Sequence, residues 1–440
     1  MRSFAIFIYE WKHFIRSPFK VVALILFIAA GIYALHNGAN LYKQQVAEID
    51  KIQEDSNEDR QMYLAYYEKG EKGPSGRPWV DVTTPFWAIW YTPVYHFKSP
   101  SPAIVYSIGQ AEQYGFYKRV TFQSSPYDAD LAEEIANPER LQSGTLDFSF
   151  VMLYLAPLLL LILLYNIKGA EVDAGFLHLV HVQTHSGTAW LLARVAFYGL
   201  LLMIVVLGLM IYGAFLTSVF KATSSIFWQI FALTFSYLFL WELVFLGILN
   251  KGKSSLGNTL KMVGVWLLFA FIIPAIVHQW VSIKHPANLM TDLIDAQRDK
   301  RNELYEQPDS VMQAQLNALF PEIIDSPVAQ DDARRGQARS YSSSALANEL
   351  LKESIAIIES SNEAKNELIQ SSYWFSPVTF FQNKINSLSQ THFQNYQHYR
   401  TEIQSLIDKQ VRVMVLDIWN DAKVDKQKYL EYNQILVDLQ

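Results

Sequence analysis

Five apolar stretches, each close to the length of a membrane-spanning helix, constrain this chain more than any other feature of its sequence. A helix needs about 20 mostly apolar residues to cross the hydrocarbon core of a bilayer. The stretches are Phe19–Leu35, Phe148–Tyr165, Ala189–Leu216, Ile226–Leu249 and Val263–Trp280. Hydrophobic residues make up 51% of the 440 residues, and they are concentrated in these stretches. The sequence therefore predicts a mainly α, polytopic membrane protein with about five spans.

Two long polar blocks, residues 36–147 and 281–440, hold most of the remaining chain. Acidic residues outnumber basic residues in both blocks, whereas Lys and Arg predominate beside the spans. Because short cytoplasmic flanks carry an excess of Lys and Arg, this distribution predicts a cytoplasmic N-terminus and extracytoplasmic polar blocks. We expect the two blocks to form one large, mostly helical extracytoplasmic domain. The first stretch lacks a small-residue cleavage site, which favours an uncleaved anchor over a signal peptide.

The predicted organisation has ten regions. They are a cytoplasmic N-terminal segment at 1–18, the first span at 19–35, an extracytoplasmic segment at 36–147, the second span at 148–166, a cytoplasmic loop at 167–188, the third span at 189–216, the fourth span at 226–249, a cytoplasmic turn at 250–262, the fifth span at 263–280 and a second extracytoplasmic segment at 281–440. We expect Leu41–Glu68 to extend the first span outward as a helix. Ala345–Leu368 and Ile385–Leu439 carry apolar residues at helical spacing.

The segment Pro74–Tyr106 is crowded with Pro, Trp and Tyr. Because Pro lacks a backbone donor and biases the preceding residue toward extended geometry, a regular helix is not expected. Two interpretations are open: a loop that skirts the membrane with interfacial aromatic residues, or an aromatic platform for a substrate. We favour the membrane-skirting loop.

The stretch GILNKGKS, Gly247–Ser254, matches the phosphate-binding pattern G-x-x-x-x-G-K-[ST] at every required position. That pattern binds phosphate only when a strand leads into the loop and a helix N-terminus follows it. Here an apolar stretch of spanning length precedes the pattern, and another follows it. We therefore interpret it as a short basic turn between two spans and expect this chain alone not to bind ATP.

Other chemical motifs are weak. The chain has no G-x-S-x-G, H-E-x-x-H or C-x-x-C motif, and we predict no enzymatic activity, no metal and no cofactor. His178, His181 and His185 have metal-ligand spacing, but no Asp, Glu or Cys joins them downstream, so we favour solvated or interfacial histidines.

Glu242 lies inside the fourth stretch, where an ionisable group is costly. It is either functional, or held by a helix–helix hydrogen bond or by snorkelling.

The charge and the cysteine content of the chain bear on its partners and on how its outer domain is stabilised. The formal net charge of −6 argues against nucleic acid as a partner. The chain has no cysteine, so its outer domain folds without disulfides.

The loop after the second stretch, NIKGAEVDAGFLHLVHVQTHSGTAWLLARV, resembles the corresponding loop of ABC-2 type transporter permeases. In that family a Gly-Glu-x-Glu-x-Gly-Thr-Leu run leads into an apolar stretch that ends in Pro-Val-Ser. The residues at matching places are Glu171, Asp173, Gly175, Leu177, Leu179, Gln183 and Ser186. Phe176 and Thr184 depart from the pattern, because the family usually has Thr and Pro there.

The resemblance extends along nearly the whole chain to the branch of ABC-2 permeases that carries the DUF3526 domain. YEWKHFIRSP resembles the family's amphipathic N-terminal elbow, and NKGKSSLGN resembles its loop between the fourth and fifth spans. Many relatives have a sixth, C-terminal span. This chain ends in the polar YLEYNQILVDLQ, so either the C-terminus stays outside or a sixth span is missing.

This resemblance implies a permease subunit that couples ATP hydrolysis by a separate ABC ATP-binding subunit to export or to mechanical work on an envelope substrate. It also implies a second permease copy or paralogue, contact with membrane lipid, an envelope protein as a further partner, and a place in the bacterial cytoplasmic (inner) membrane. The residues implied to couple the loop to the ATPase are Glu171, Asp173, Gly175, Phe176, Leu177 and Leu179. The elbow residues implied to lie in the membrane interface are Phe7, Trp11 and Phe14.

Within the implied coupling loop, Phe176, Leu177 and Leu179 would fill a groove of the ATPase. Glu171 and Asp173 would favour the positive N-terminal end of the loop's own helix.

Two other classes of function stay open. A membrane-anchored receptor or envelope assembly factor would act through its outer domain without transport. A membrane-embedded enzyme is the third class, which the missing catalytic motif disfavours. Co-purification of an ATP-binding subunit separates the first class from the other two.

Overall fold

The computed structural model describes residues 3–130, 146–184, 186–285, 298–300 and 302–437. The described chain is mainly α and consists of an apolar helical bundle with a polar lobe at one end. Five of its helices are long and apolar enough to cross a membrane, as the sequence predicts. These candidate spans, called the first to fifth span, are Pro18–Lys69, Phe148–Asp173, Gly187–Thr217, Ser224–Lys251 and Ser255–Lys284.

The secondary-structure elements are numbered in chain order. The helices are α1 (Ser3–Ile15), α2 (Pro18–Lys69), α3 (Pro85–Tyr91), α4 (Phe148–Phe150, continued by a π segment Val151–Leu155 and by Ala156–Leu164), α5 (Gly169–Asp173), α6 (Leu177–Gln183), α7 (Gly187–Thr217), α8 (Val219–Lys251), α9 (Ser255–Leu267, continued by a π segment Leu268–Ile272 and by Ile273–Lys284), α10 (Asp309–Leu319), α11 (Asp332–Ser371), α12 (Pro377–Leu388), α13 (Phe393–Trp419) and α14 (Lys426–Val437). Short 3-10 turns are Pro102–Val105, Pro321–Ile323 and Ser372–Trp374. The strands β1 (Tyr95–Phe97) and β2 (Tyr117–Arg119) pair antiparallel, with Tyr95 opposite Arg119.

The second span is the most deeply buried part of the bundle, and its core side chains include Val151 and Leu163, both fully buried. Pro157 has no N–H to donate to the carbonyl of Leu153, four residues earlier in the helix. That carbonyl accepts a hydrogen bond from the hydroxyl of Tyr237 in the fourth span, at 2.9 Å. A side chain of a neighbouring helix thus satisfies a backbone group that cannot reach water inside an apolar bundle.

The helix α2 joins the bundle to the lobe. It contains 52 residues, which corresponds to about 78 Å at 1.5 Å per residue. It ends at Gly70, whose φ of 67° allows a left-handed C-cap. The predicted continuation of the first span as a helix through Leu41–Glu68 is therefore confirmed.

Both polar blocks build the lobe around one shared core. Side chains from the two blocks that meet in this core include Val80, Ile89, Val120, Ile403, Met414 and Trp419. Asp130 of the first block and Arg400 of the second form a buried ion pair at 2.8 Å. The amide of Gln410 donates a hydrogen bond to the carbonyl of Val120 at 3.0 Å. The two blocks therefore pack as one helical unit, as expected.

The aromatic segment Pro74–Tyr106 packs largely inside this lobe. The ring of Phe86 stacks on Tyr341 of α11, with centroids 4.2 Å apart, and Ile89 is 2% exposed. The expectation of a membrane-skirting loop is therefore wrong for this part of the segment, because the rings of Phe86, Trp87, Trp90 and Tyr91 pack in or against the lobe's core. Only the end of the segment reaches the bundle, where the Tyr106 hydroxyl donates to the carbonyl of Met210 at 2.6 Å.

Candidate functional site

The end of the bundle opposite the lobe brings together parts of the chain that are distant in sequence. Here the elbow α1 meets the start of the third span, and the short helix α5 meets the start of the fifth span. The loop that joins the second and third spans lies at this end and contains α5 and α6.

A cluster of four charged side chains, Glu10, Lys20, Glu171 and Arg194, lies at the centre of this end, with Glu171 half-buried and the other three buried; we call it the charge cluster. Arg194 is 7% exposed and Glu10 is 6% exposed. The Nε atom of Arg194 lies 2.5 Å from a Glu10 carboxylate oxygen, and its Nη1 donates to the carboxylate of Glu171. The guanidinium also stacks on the ring of Trp190, at 4.8 Å.

Lys20 completes the cluster. It is 1% exposed and donates to the carbonyl of Leu163 at 2.7 Å and to the side-chain oxygen of Asn166 at 2.9 Å. The cluster therefore balances two positive charges against two negative charges. The ion pairs of Arg194 join the third span to the elbow and to α5, and Lys20 joins the first span to the second through its hydrogen bonds.

The same loop is tied to the turn between the fourth and fifth spans. The carboxylate of Asp173 accepts a hydrogen bond from the backbone N–H of Ser255, at 3.0 Å, where α9 begins. Lys168 donates to the carbonyl of Asn250 at the end of α8. A Cβ atom on Gly169 would lie 2.7 Å from the Ser255 backbone, so this close approach requires glycine. Asp173 thus lies at the positive end of the fifth span's helix rather than that of α6.

The helix α6 exposes a strip of apolar side chains. Phe176, Leu179 and Val182 are 61%, 55% and 85% exposed; we call these three residues the apolar strip. Leu177, by contrast, is half-buried on the other face. Gly175 has a φ of 75°, a left-handed conformation that turns the chain from α5 into α6. Three apolar residues were predicted to fill the ATPase groove. Of these, Phe176 and Leu179 face outward, and Leu177 does not.

The elbow packs on the third span. The ring of Phe7 meets Phe197 edge to face at 5.6 Å, and the ring of Phe14 lies 6.4 Å from Tyr198. Trp11 lies on the same face of the elbow and is 48% exposed. Two of the three side chains expected in the membrane interface thus contact the bundle.

Glu242 lies at a helix–helix contact. Its carboxylate abuts the Cα position of Gly199 in the third span, where a Cβ atom would collide with it. Within the described residues its carboxylate has no hydrogen bond or ion pair. The helix–helix hydrogen bond that was one of the interpretations of Glu242 is therefore not found among the described residues, and its carboxylate packs against Gly199 instead.

The histidine hypothesis is tested only in part. His178 is exposed, while His185 and the side chain of His181 lie outside the described residues. Among the side chains that the structure does describe, no group of three His, Cys, Asp or Glu residues could hold a metal ion.

The phosphate-loop pattern lies between two helices. Gly247–Lys251 belongs to α8, and only Gly252–Ser254 forms the turn before α9. The hydroxyl of Ser254 accepts a hydrogen bond from the N–H of Gly257 and caps α9, and Lys253 is exposed. A helix therefore leads into the pattern, where a phosphate-binding loop requires a strand.

Sequence reasoning missed Glu10, Lys20, Arg194 and Val182. Arg194 could have been identified from the sequence. A charged residue inside the third apolar stretch is as costly as Glu242 inside the fourth, and such a residue is a candidate functional residue. Lys20 lies at the start of the first apolar stretch, where its sequence context marks it only as one of the basic residues beside the spans. The exposure of Val182 depends on which face of α6 turns toward the bundle, and its sequence does not determine that.

The fold defines a class of protein: an α-helical chain with five helices of membrane-spanning length and a lobe built from two segments. A family model described as "Domain of unknown function (DUF3526)" matches residues 292–434, within the second lobe segment. The predicted DUF3526 domain is confirmed for that region, and the wider ABC-2 permease resemblance stays a prediction. No curated protein and no solved structure matches the chain.

Proposed function

We propose that this chain is the membrane-spanning permease subunit of an ABC-2 type ATP-driven transporter in the bacterial cytoplasmic membrane. A separate ATP-binding subunit hydrolyses ATP, and a second permease copy or a paralogue lies beside this one. The pair uses closure of the ATPase for export or for mechanical work on an envelope substrate.

The observation that carries the proposal is the apolar strip Phe176, Leu179 and Val182 on α6. These side chains lie on a seven-residue helix outside the bundle, where contiguous exposed apolar surface marks an interaction site. A helix this short is marginal on its own in water, so contact with a partner would stabilise it. An apolar face that enters a hydrophobic groove is a common mode of helix recognition.

The contacts behind the strip supply a route for coupling. When a partner moves α6, it moves Glu171 and Asp173 in the adjoining α5. Glu171 pulls on Arg194 and through it on the elbow, while Asp173 pulls on the start of the fifth span. Nucleotide-driven closure of the ATPase would then bias the bundle between two packings.

Basic residues support a cytoplasmic location for this end. Lys168 and Lys253 lie on the short connections there, and Lys251 and Lys261 lie in the adjoining ends of α8 and α9. Short flanks of spans that are rich in Lys and Arg stay in the cytoplasm. The lobe is then extracytoplasmic.

The proposed orientation predicts a labelling pattern. Glu58→Cys and Lys423→Cys place single cysteines at exposed positions in the two segments of the lobe, and the native chain has no cysteine to contribute background. Both should react with a membrane-impermeant maleimide added to spheroplasts, whereas Lys253→Cys, in the exposed turn before α9, should react only after permeabilisation. Labelling of Lys253→Cys in intact spheroplasts, or protection of both lobe sites, would reverse the orientation.

Because the proposal assigns ATP binding to a separate subunit, it predicts that the purified chain alone does not bind ATP. Lys253 lies in a turn between two helices, so the backbone N–H groups of a phosphate cradle are missing. ATP with magnesium should leave the thermal unfolding midpoint of the chain unchanged. A saturable increase in that midpoint, abolished by Lys253→Ala but not by Lys251→Ala, would place nucleotide on this chain and contradict the proposal.

A further inference from the structure

The run Leu368–Asn383, from the end of α11 to the middle of α12, is uncharged in an otherwise highly charged region of the chain. No Asp, Glu, Lys or Arg occurs between Glu367 and Lys384. The segment forms the 3-10 turn Ser372–Trp374 and then α12, whose first residue is Pro377. Such a composition suits an apolar environment better than a water-facing lobe.

One face of α12 packs into the bundle rather than into the core of the lobe. Val378, Phe381 and Ile385 recur at helical spacing and are 1%, 0% and 0% exposed, and all three belong to the bundle's core. The ring of Phe381 lies 4.5 Å from that of Tyr237 in the fourth span. The helix also contacts both π segments, in the second and fifth spans.

These contacts set the depth of α12. Tyr237 donates to the carbonyl of Leu153, which lies five residues, or about 7 Å, inside the second span from its start at Phe148. Phe381 therefore lies below the lobe end of the bundle. The other end of α12 returns to the lobe, where the Asn386 side chain accepts a hydrogen bond from Ser107 at 2.5 Å.

Several polar groups of the turn before α12 are satisfied within the turn itself. The N–H groups of Phe375 and Ser376 both donate to the carbonyl of Ser372, at 3.1 and 3.0 Å. The hydroxyl of Ser372 donates to the carbonyl of Ile369, and the hydroxyl of Ser376 pairs with that of Thr379. Irregular backbone is tolerated at membrane depth only when its polar groups find partners in this way.

The same turn presents large aromatic side chains outward. Trp374 is 97% exposed, Phe375 is 51% exposed and Phe380 is 42% exposed. The fifth span, which α12 contacts, is also apolar on its outward surface, where Phe271 and Ile276 are 47% and 63% exposed. The outward aromatic side chains thus belong to a turn and helix that pack beside a span with an apolar outward surface, and aromatic residues are enriched at membrane interfaces.

We infer that Trp374, Phe375 and Phe380 insert into the lobe-side leaflet of the bilayer, and that Ser372–Leu388 is a re-entrant membrane element in addition to the five spans. The partner is phospholipid: acyl chains around the rings and headgroups near the ends of the segment. This element anchors the base of the lobe to the membrane beside the fifth span. The inference depends on the five helices spanning a bilayer and does not depend on an ATPase partner.

The absence of cysteine allows a direct test with single nitroxide spin labels in the full-length chain. Trp374→Cys is labelled and reconstituted into vesicles of phosphatidylethanolamine and phosphatidylglycerol. The collision rates of the label with oxygen, which concentrates in lipid, and with a water-soluble nickel chelate are then measured. We expect oxygen to dominate at position 374, as at the lipid-facing control Ile276→Cys.

The matched control is Trp79→Cys, an exposed tryptophan that follows the distal end of α2, about 50 Å beyond the bundle. There the nickel chelate should dominate, so the order of the two rates inverts between the two tryptophan sites. If Trp374→Cys does not fold, Phe380→Cys serves for the same measurement. Dominance of the nickel chelate at position 374 would place the turn in water, and low access of both reagents would show that protein covers it. Either result would overturn the inference.

Discussion

Replacing Phe176 and Leu179 together with aspartate should release the ATP-binding subunit from the permease. Both side chains are more than half exposed in the chain alone, so the change should leave its folding intact. In a complex they would be buried against an apolar groove. Each unpaired carboxylate there costs at least about 2 kcal/mol, so the two together weaken binding roughly 700-fold. Pull-down of the ATPase subunit and its turnover in nanodiscs measure the effect.

The matched control adds the same charge elsewhere on the loop. Thr188→Asp with Ala189→Asp places two carboxylates at exposed positions in the first turn of α7, where the helix dipole favours acidic residues. This control should retain binding. His178→Gln should also retain it, because that side chain is exposed and is not one of the strip residues. Full binding and normal turnover in the Phe176→Asp, Leu179→Asp variant would remove the apolar strip from the mechanism.

Replacing Arg194 with methionine should strongly destabilise the bundle. Methionine retains much of the side chain's length, but leaves the carboxylates of Glu10 and Glu171 without their cation in a buried site. Removal of one partner from a buried ion pair typically costs about 3 to 5 kcal/mol. The thermal unfolding midpoint in detergent should fall markedly. Adding Glu10→Gln and Glu171→Gln to the same chain should restore most of the loss, because the uncompensated charges are then gone.

Arg412 provides the comparison for an exposed ion pair. It pairs with Glu322 in the lobe at 2.6 Å, with the two side chains 57% and 47% exposed. Arg412→Met should cost less than about 1 kcal/mol, as exposed ion pairs usually do. If Arg194→Met unfolds at the same temperature as Arg412→Met, the charge cluster does not hold the elbow, α5 and the third span together. The coupling route through Glu171 would then lose its basis.

The spans and the long helices could be predicted because the features that determine them are local. About twenty consecutive apolar residues suffice to identify a span, and the uninterrupted polar run Leu41–Glu68 sufficed to extend the first one. The match to DUF3526 at residues 292–434 likewise lies within one continuous region.

The charge cluster could not be predicted in the same way. Glu10, Lys20, Glu171 and Arg194 are separated by up to 184 positions along the chain, and only packing of four elements brings them together. The prediction of a membrane-skirting loop for the aromatic segment after Pro74 was wrong for a related reason. Its composition fits a membrane interface and a protein core equally well, and the partner ring of Tyr341 lies more than 200 residues away.

The position of α12 against the bundle could not be predicted from the sequence either. The helix follows the polar α11 in the chain, and its sequence does not indicate whether its apolar face meets the lobe or the bundle. Contact of Phe381 with Tyr237 places that face against the fourth span. A twelve-residue helix is too short to be recognised as a membrane element by length.

Purification of the full-length, tagged chain from its native membrane under mild detergent tests the central claim most directly. Proteins that co-purify in stoichiometric amounts are identified by mass spectrometry. The proposal predicts a subunit with a G-x-x-x-x-G-K-[ST] loop that follows a strand, retained by the native chain and by the Thr188→Asp, Ala189→Asp control and lost from the Phe176→Asp, Leu179→Asp variant. A native complex with no such subunit, held together only through the lobe, would contradict the permease assignment and favour a receptor or assembly factor.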